Sequence, residues 1–348
     1  MNSKPIVVIG SINQDMVVSV AELPSPGETV FGSSLLLRPG GKGANQAVAA
    51  AVLGGQAYLV GMVGDDTAGK QMLADIAGRR VDTSMVAAGH GQSTGVAMIL
   101  VDQHGENIIA VTPGANGKVS GDQIDMAAAV LEYSGGVAVV QFELPVETAI
   151  AATQRFGGMK GVITLVNPSP VPSVPIEKLG GADVIVVNEV EAEEITGMGH
   201  HIESHSQALD AARHIAAHGI KAVIITLGRL GAVMYSGEGF LSKSGDVAGE
   251  YSIAAKPPPV RVVDTTGAGD AFMGGLAVGL SRGWTMEDSF GFAMRAGAMA
   301  TTKMGAQEAL PSVVDVVNVN DFESKLPLII FNPAIEDNIT TNEVYVNG

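Results

Sequence analysis

Residues 264–276 read DTTGAGDAFMGGL: a polar, glycine-rich approach, then a single carboxylate, Asp270, at the mouth of an apolar run with helical character. A carboxylate in the first turn of a helix is stabilised by unpaired N–H groups and by the helix dipole, so capping alone would account for it. The flanking residues ask for more. Gly267, Ala268 and Gly269 ahead of a helix are expected to leave several N–H groups converging on one point, which is an anion hole. An aspartate beside an anion hole is poorly suited to bind that anion, because like charges repel. It is well suited to act as a base. With a substrate hydroxyl between Asp270 and a terminal phosphoryl group, the carboxylate takes the proton while the amides hold the developing charge. Cap and base both remain open at this point.

A second glycine-rich segment, GGKGANQAVAA at 40–50, precedes an alanine-rich helix. It is not a Walker A loop, because Gly43 and Ala44 follow the lysine where that motif needs Ser or Thr. Its glycines permit close backbone approach, and Lys42 and Asn45 offer donors to hydroxyls or carboxylates; a tight turn with a cap is the alternative. GDDTAGKQ at 64–71 has the glycine and lysine spacing of a phosphate loop. However, Gln71 stands where the magnesium-binding hydroxyl belongs, and Asp65 and Asp66 repel phosphate. Five of the seven histidines fall between 200 and 218, with His214 and His218 at i, i+4. With no HExxH arrangement and with polar neighbours, they read as a solvated surface in preference to a metal site.

The elements that must position these segments are legible as apolar runs of strand length: PIVVIGS (5–11), AYLVGMV (57–63), VAVVQFE (137–143), GVITLVN (161–167), ADVIVVN (182–188) and KAVIITLG (221–228). Between them lie helical patterns such as NQAVAAAVLGG and SQALDAARHIAAHG, each ending in glycine as a helix C-terminus does. Continuous apolar strands alternating with helices predict an α/β fold, three layers with a central, mostly parallel sheet. Ligands in such sheets gather at the carboxyl ends of the strands. Two regions, near 12–38 and 92–112, read as strand pairs without a helix and predict a small antiparallel β lid over that edge, able to supply a dimer contact. Residues 1–325 are read as one domain and 326–348 as a C-terminal extension of unknown role.

Composition narrows the partners. A net charge of −16 argues against nucleic acid or an anionic membrane surface as partner, since either requires a basic stripe. A small anion must therefore be held by local devices. The chain has no cysteine, so disulfides, thiolate catalysis and cysteine-ligated zinc are excluded. The N-terminal apolar run is too short for a signal or membrane segment, and a cytoplasmic location is expected.

Taken in order, GSINQD (10–15), GGKGANQA (40–47), NEVE (188–191), TLGRLG (226–231) and DTTGAGD (264–270) resemble the ribokinase-like, or PfkB, sugar kinases from about residue 5 to about 320. PGETV, STGVAMI and MGAQ (304–307) add to the resemblance. It implies a kinase that uses ATP, magnesium and a monovalent cation, usually potassium, to phosphorylate a sugar, D-ribose at O5 above others. It further implies that Asn13, Asp15, Gly41, Lys42, Asn45 and Glu143 hold sugar hydroxyls, with Asp270 as base. By the same resemblance Asn188 and Glu191 act on phosphate and magnesium, the latter through water, and Thr226 and Gly228 line the nucleotide. Asp264, Thr266 and a carbonyl of Gly305 are implied as ligands of the monovalent cation. A homodimer through the lid is expected from the strand-pair reading of the lid, not from the resemblance. Deoxyribose, fructose or a nucleoside remains an alternative acceptor. A non-catalytic sensor is a further alternative, and the intact Asp270 argues against it. A dinucleotide oxidoreductase is disfavoured because no G-x-G-x-x-G follows the first strand.

Overall fold

The computed structural model describes residues 3–237, 240, 241, 250–317 and 329–331. In chain order the first part gives β1 (Pro5–Ile9), β2 (Asn13–Ser19), β3 (Ser34–Gly40), α1 (Lys42–Val52), β4 (Gln56–Gly64), α2 (Thr67–Gly78), β5 (Asp82–Gly89), β6 (Gly95–Val101) and β7 (Asn107–Thr112). The middle gives α3 (Gly121–Ser134), β8 (Gly136–Gln141), α4 (Val146–Phe156), β9 (Val162–Asn167), β10 (Val184–Asn188), α5 (Glu189–Thr196), α6 (His205–Ala216) and β11 (Ala222–Thr226). The last part gives β12 (Ala232–Ser236), β13 (Tyr251–Ala255), α7 (Ala268–Ser281), α8 (Met286–Ala300), α9 (Val313–Val317) and β14 (Ile329–Phe331).

The large sheet has the order β14-β13-β12-β11-β10-β9-β8-β1-β4-β5. It is parallel from β5 through β11 and antiparallel from β11 to β14. All six apolar runs read as strands lie in its parallel part. Successive side chains of a strand face opposite ways, so a strand covered on both faces must be apolar throughout. Accordingly Ile6 and Val8 of β1 join one core with α1, α7 and α8, whereas Val7 and Ile9 join a second core with α3, α4 and α6. Among the fully buried side chains Phe290 anchors the first core and Phe156 the second, each contributing ~1.5–3 kcal/mol by burial. No helix among the described residues is long and apolar enough to cross a membrane.

The second sheet is the lid, ordered β3-β2-β6-β7. Its outer pairs are antiparallel as expected, but β2 and β6 run parallel, because the chain passes through α1, β4, α2 and β5 between them. Of the C-terminal extension, residues 329–331 are described; they add the edge strand β14 against β13.

Candidate active site

Asp270 sits in the first turn of α7, behind Gly267 in the left-handed conformation (φ 76°). The first turn of α1 meets it: Asn45 Nδ2 donates to Asp270 Oδ2 at 2.9 Å, and Gln46 Nε2 donates to Oδ1 at 3.1 Å. Four residues further along both helices the contact is Ala49 on Gly274. There a Cβ on residue 274 would lie 2.5 Å from the Ala49 Cβ and 2.7 Å from the Ala50 nitrogen. Only glycine allows the helices this close, and the close crossing lets short amides reach the carboxylate. Gln46 Nε2 also donates to Asn167 Oδ1 at the end of β9 (3.3 Å), and Gln307 Nε2 donates to Asn45 Oδ1 (3.0 Å). Burial pushes the Asp270 carboxyl upward. The Lys42 charge and the two amides oppose that rise, Glu143 adds to it, and the net shift is up.

One expectation for the anion hole is corrected. The Ala268 N–H is occupied, donating to the Thr265 carbonyl at 3.2 Å. A helix mouth entered through a left-handed glycine folds back into a turn, which takes up that donor. Among the described residues the N–H groups of Gly267 and Gly269 remain unpaired.

Three cavities meet end to end at this point. A throat of about 200 Å³ is lined by Lys42, Asn188, Glu191, Thr226, Gly267, Gly269 and Asp270. On one side, sharing Thr226 and Gly269, opens a mostly apolar cleft of about 570 Å³ between the 256–262 segment, Phe272 and Met294; Gly228 lines it too. On the other side, sharing Lys42, lies a cavity of about 470 Å³ lined by Asn13, Asn116, Phe142, Glu143 and Pro170. The cleft suits a flat base, the throat a chain of phosphates, and the far cavity a small polar acceptor.

The acceptor cavity is built at the carboxyl ends of β1 and β8. Glu143 Oε2 accepts from Ser11 Oγ (2.6 Å) and from the Lys42 N–H (3.1 Å). Asn13 Oδ1 accepts from Asn116 Nδ2 (2.8 Å), and Asn116 also grips both backbone groups of Ile12. Gly41 (φ 89°) seats the start of α1 so close that a Cβ would lie 2.8 Å from the Asn13 nitrogen. Asp15, opposite Arg38 in the lid, is raised to about 7 by burial first and then by Glu143, Glu308 and Asp270. Of the expected sugar ligands, Asn13, Lys42 and Glu143 line this cavity and Asp15, Gly41 and Asn45 do not; the Asn45 amide is engaged by Asp270 and Gln307. Sequence reasoning missed Ser11, Gln46, Asn116 and Gln307. Ser11, Gln46 and Gln307 lie inside quoted motifs, but nothing in PGANGKVS marked Asn116.

The raised Asp15 carboxyl carries a pH prediction. A sugar hydroxyl donates to an ionised carboxylate, and the ionised fraction falls as pH drops through about 7. The KM for the sugar is therefore expected to rise about tenfold per unit below that point. Initial rates measured between about pH 5 and 8 check this, with Asp15→Asn expected to bind weakly and to lose the dependence. A flat wild-type KM would remove Asp15 from sugar binding.

Asn188 and Glu191 close a capping box on α5: Glu191 N–H donates to Asn188 Oδ1 (2.8 Å), and Asn188 N–H donates to Glu191 Oε2 (2.9 Å). Both side chains thereby stand fixed on the throat wall. Asp264, Thr266 and Gly305 come together as expected, but through hydrogen bonds. Asp264 Oδ1 accepts from the Thr266 N–H (2.9 Å) and hydroxyl (2.7 Å), and Oδ2 accepts from the Gly305 N–H (2.8 Å). Burial alone would raise Asp264; these donors and Arg38 bring it below the usual carboxylate range. Gly305 thus meets Asp264 through its N–H, a contact separate from the carbonyl expected to reach the cation.

The decoys resolve into structure. Asp66 caps α2 through Gly69 N–H (2.7 Å) and ties it to Thr94, while Lys70 pairs with Asp65. His201 meets Glu193, His205 the Leu230 carbonyl and His218 Glu177, while the rings of His214 and His218 meet edge to face at 5.7 Å. No cluster of metal-binding His, Asp or Glu side chains occurs among the described residues.

A base cleft, a phosphate throat with a buried carboxylate at its waist, and a polar acceptor cavity at the carboxyl edge of a parallel sheet define a small-molecule kinase of the α/β class. The profile of the pfkB family carbohydrate kinases matches residues 3–313, and the chain belongs to that family. It is 35% identical over 309 residues to a ribokinase of Haemophilus influenzae, covering 89% of this chain and 96% of that one. A deoxyribokinase of Salmonella typhi is 32% identical over 309 residues, with 88% and 96% covered. The Arabidopsis thaliana ribokinase solved with ribose and ATP superimposes with a TM-score of 0.78 at 29% identity, covering 91% of this chain and 99% of that one.

Proposed function

We propose that this kinase transfers the terminal phosphoryl group of ATP to O5 of D-ribose, giving ribose 5-phosphate and ADP. The observation that carries the reading is the continuous line of three cavities, with Asp270 and Lys42 at the waist between cleft and acceptor cavity. The acceptor cavity offers a carboxylate and an amide to hydroxyls through Glu143 and Asn13, and Asp15 of β2 lies near enough for the Glu143 and Asp270 charges to act on it. A site of this kind rejects an analogue lacking a hydroxyl, because its buried polar groups are then left unpaired. The ribokinase relatives, one of them solved with ribose and ATP, support ribose as the acceptor.

In this mechanism Asp270 accepts the O5 proton as the oxygen attacks phosphorus. The N–H groups of Gly267 and Gly269 hold charge on the transferring group, and Lys42 supplies a cation beside it. Asn188 and Glu191 position the phosphates from the opposite wall, and Thr226 and Gly228 border the nucleotide. Glu191, a hard oxygen donor facing the throat, fits magnesium held through water, which when bound neutralises phosphate charge. The carboxylate of Asp264 and the hydroxyl of Thr266 fit a potassium ion, which would stiffen the loop carrying Gly267.

The test is ADP release by the purified protein with magnesium-ATP across ribose, deoxyribose, fructose, adenosine and no acceptor, in potassium, sodium and a large organic cation. Ribose-selective release that depends on potassium is expected. Release with another acceptor would keep the chemistry and change the substrate; none, despite ligand binding, would favour a sensor. Equal rates in the three salts would remove the potassium site.

Lid pairing is part of the same proposal. Register places Leu35, Leu37, Met98 and Ile108 on the lid face away from Asn13 and Asp15, and all four are exposed. A second copy of the lid covers such a patch, as exposed apolar surface favours. Sedimentation velocity should give a dimer, and Leu35→Glu with Leu37→Glu a monomer. A monomeric wild-type protein would end this part of the proposal. Use of ATP accords with a cytoplasmic location.

A further inference from the structure

We infer that Gln46 and Gln307 are positioning residues for the base, two buried amides that hold the two oxygens of Asp270, Gln46 directly and Gln307 through Asn45. The inference rests on Asp270 being the base.

The hydrogen-bond polarity runs outward from Asp270 without ambiguity. An ionised carboxylate only accepts. Asn45 must therefore turn its NH2 to Oδ2, which leaves its own oxygen to accept, and Gln307 meets that oxygen with its NH2. Gln46 faces two oxygens, Asp270 Oδ1 and Asn167 Oδ1, so its amide is fixed the same way. Asn167 is in turn held by its donation to the Val186 carbonyl (2.9 Å). Gln307 is pinned through its backbone, whose carbonyl accepts from Arg79 Nη1 at 2.9 Å.

Both glutamines are almost fully buried, yet Oε1 of each has no partner. An unpaired buried acceptor is unfavourable, and leucine or methionine would fill the same space without it. The NH2 groups are what these positions require. A donor on each oxygen fixes the plane of the carboxylate, so that one lone pair faces the acceptor hydroxyl before ATP and sugar arrive. The charged groups around Asp270 are Lys42 of α1, Glu143 after β8, Asp15 of the lid, and Glu191 of α5 across the throat. Loss of an amide donor therefore also favours the protonated base.

The test uses the full chain with magnesium-ATP and D-ribose, comparing Gln307→Glu, Gln46→Leu and Asp270→Asn. Gln307→Glu keeps the shape but makes Asn45 present its oxygen to Asp270. The expected result is a kcat lower by roughly 10- to 100-fold, the loss that a displaced reacting group brings. Both KM values should stay within about threefold, since neither glutamine lines the acceptor cavity or the nucleotide cleft. In Gln46→Leu the acidic limb of the kcat profile at saturating ribose, which the Asp15-dependent KM does not enter, is expected to move to higher pH, which a packing role alone would not produce. Wild-type kcat and an unmoved limb in both variants, beside an inert Asp270→Asn, would overturn the inference and leave the base in place. Near-normal turnover by Asp270→Asn would instead overturn the base, and this inference with it.

Discussion

Asp270→Asn is expected to lower kcat by about 10²- to 10⁴-fold, the range general base catalysis supplies, while sugar and nucleotide affinities stay within several-fold. Asparagine keeps the size of the side chain and an oxygen for one of the two amides that hold it. What it lacks is a place for the proton. Because the base acts as the O–H bond breaks, its loss falls on the transition state and spares ground-state binding. Stability runs the other way. Burial raises the Asp270 carboxyl, so the ionised form is held at a cost to the fold at neutral pH. A carboxyl raised in the folded state takes up protons that the unfolded chain releases. Its cost therefore appears as pH rises through the ordinary carboxylate range, and it persists above the folded value. Removing the charge should leave the thermal midpoint equal or higher. Single-turnover kinetics beside a melting curve checks both halves; normal turnover would take Asp270 out of the chemistry.

Gly43→Ala is the second large effect, although the added group is one methyl. A Cβ there would stand 2.4 Å from the Gly10 carbonyl carbon and 2.5 Å from both the Gly10 Cα and the Ser11 nitrogen. All three are backbone atoms of the exit from β1, so no side chain can swing aside. The start of α1 must move, and Lys42, Asn45 and Gln46 move with it. A displacement of about 1 Å at reacting groups costs on the order of 10²-fold in rate, and overpacking costs about 1–3 kcal/mol in stability. Both kcat/KM and the melting midpoint are expected to fall. Gly78→Ala is the control: it is also helical, but an added Cβ meets nothing within 4 Å. It should leave activity unchanged and stability equal or slightly improved. Equal behaviour of the two variants would show that the close approach of α1 to β1 does not set the site.

The parallel half of the large sheet was legible because strands buried on both faces are apolar at every position, a signal that survives without knowledge of neighbours. β12 and β13 escaped notice: Ala232–Ser236 and Tyr251–Ala255 are short and mixed in character, and their place in the sheet rests on the pairing of β12 with β11 and of β13 with β12. The parallel β2–β6 contact at the middle of the lid was also hidden, since 75 residues of chain separate the two strands and only the way α1, β4, α2 and β5 pack brings them side by side.

The site divides along the same line. The amino-acid sequence by itself determined which segments approach a ligand closely, because glycines beside Lys42 and Asp270 have a local meaning, and it narrowed Asp270 to two uses, a cap or a base, because a carboxylate at a glycine-rich helix mouth can serve either. Only the tertiary structure decided what each amide does. Asn45 is turned to Asp270 by Gln307, 262 positions away; Asn116 is brought from the turn that follows β7 to hold Asn13; and Ala268 loses its free N–H to a turn. An amide carries both a donor and an acceptor, so its role is set by whichever groups the fold places against its two ends, and those groups lie far off in the chain.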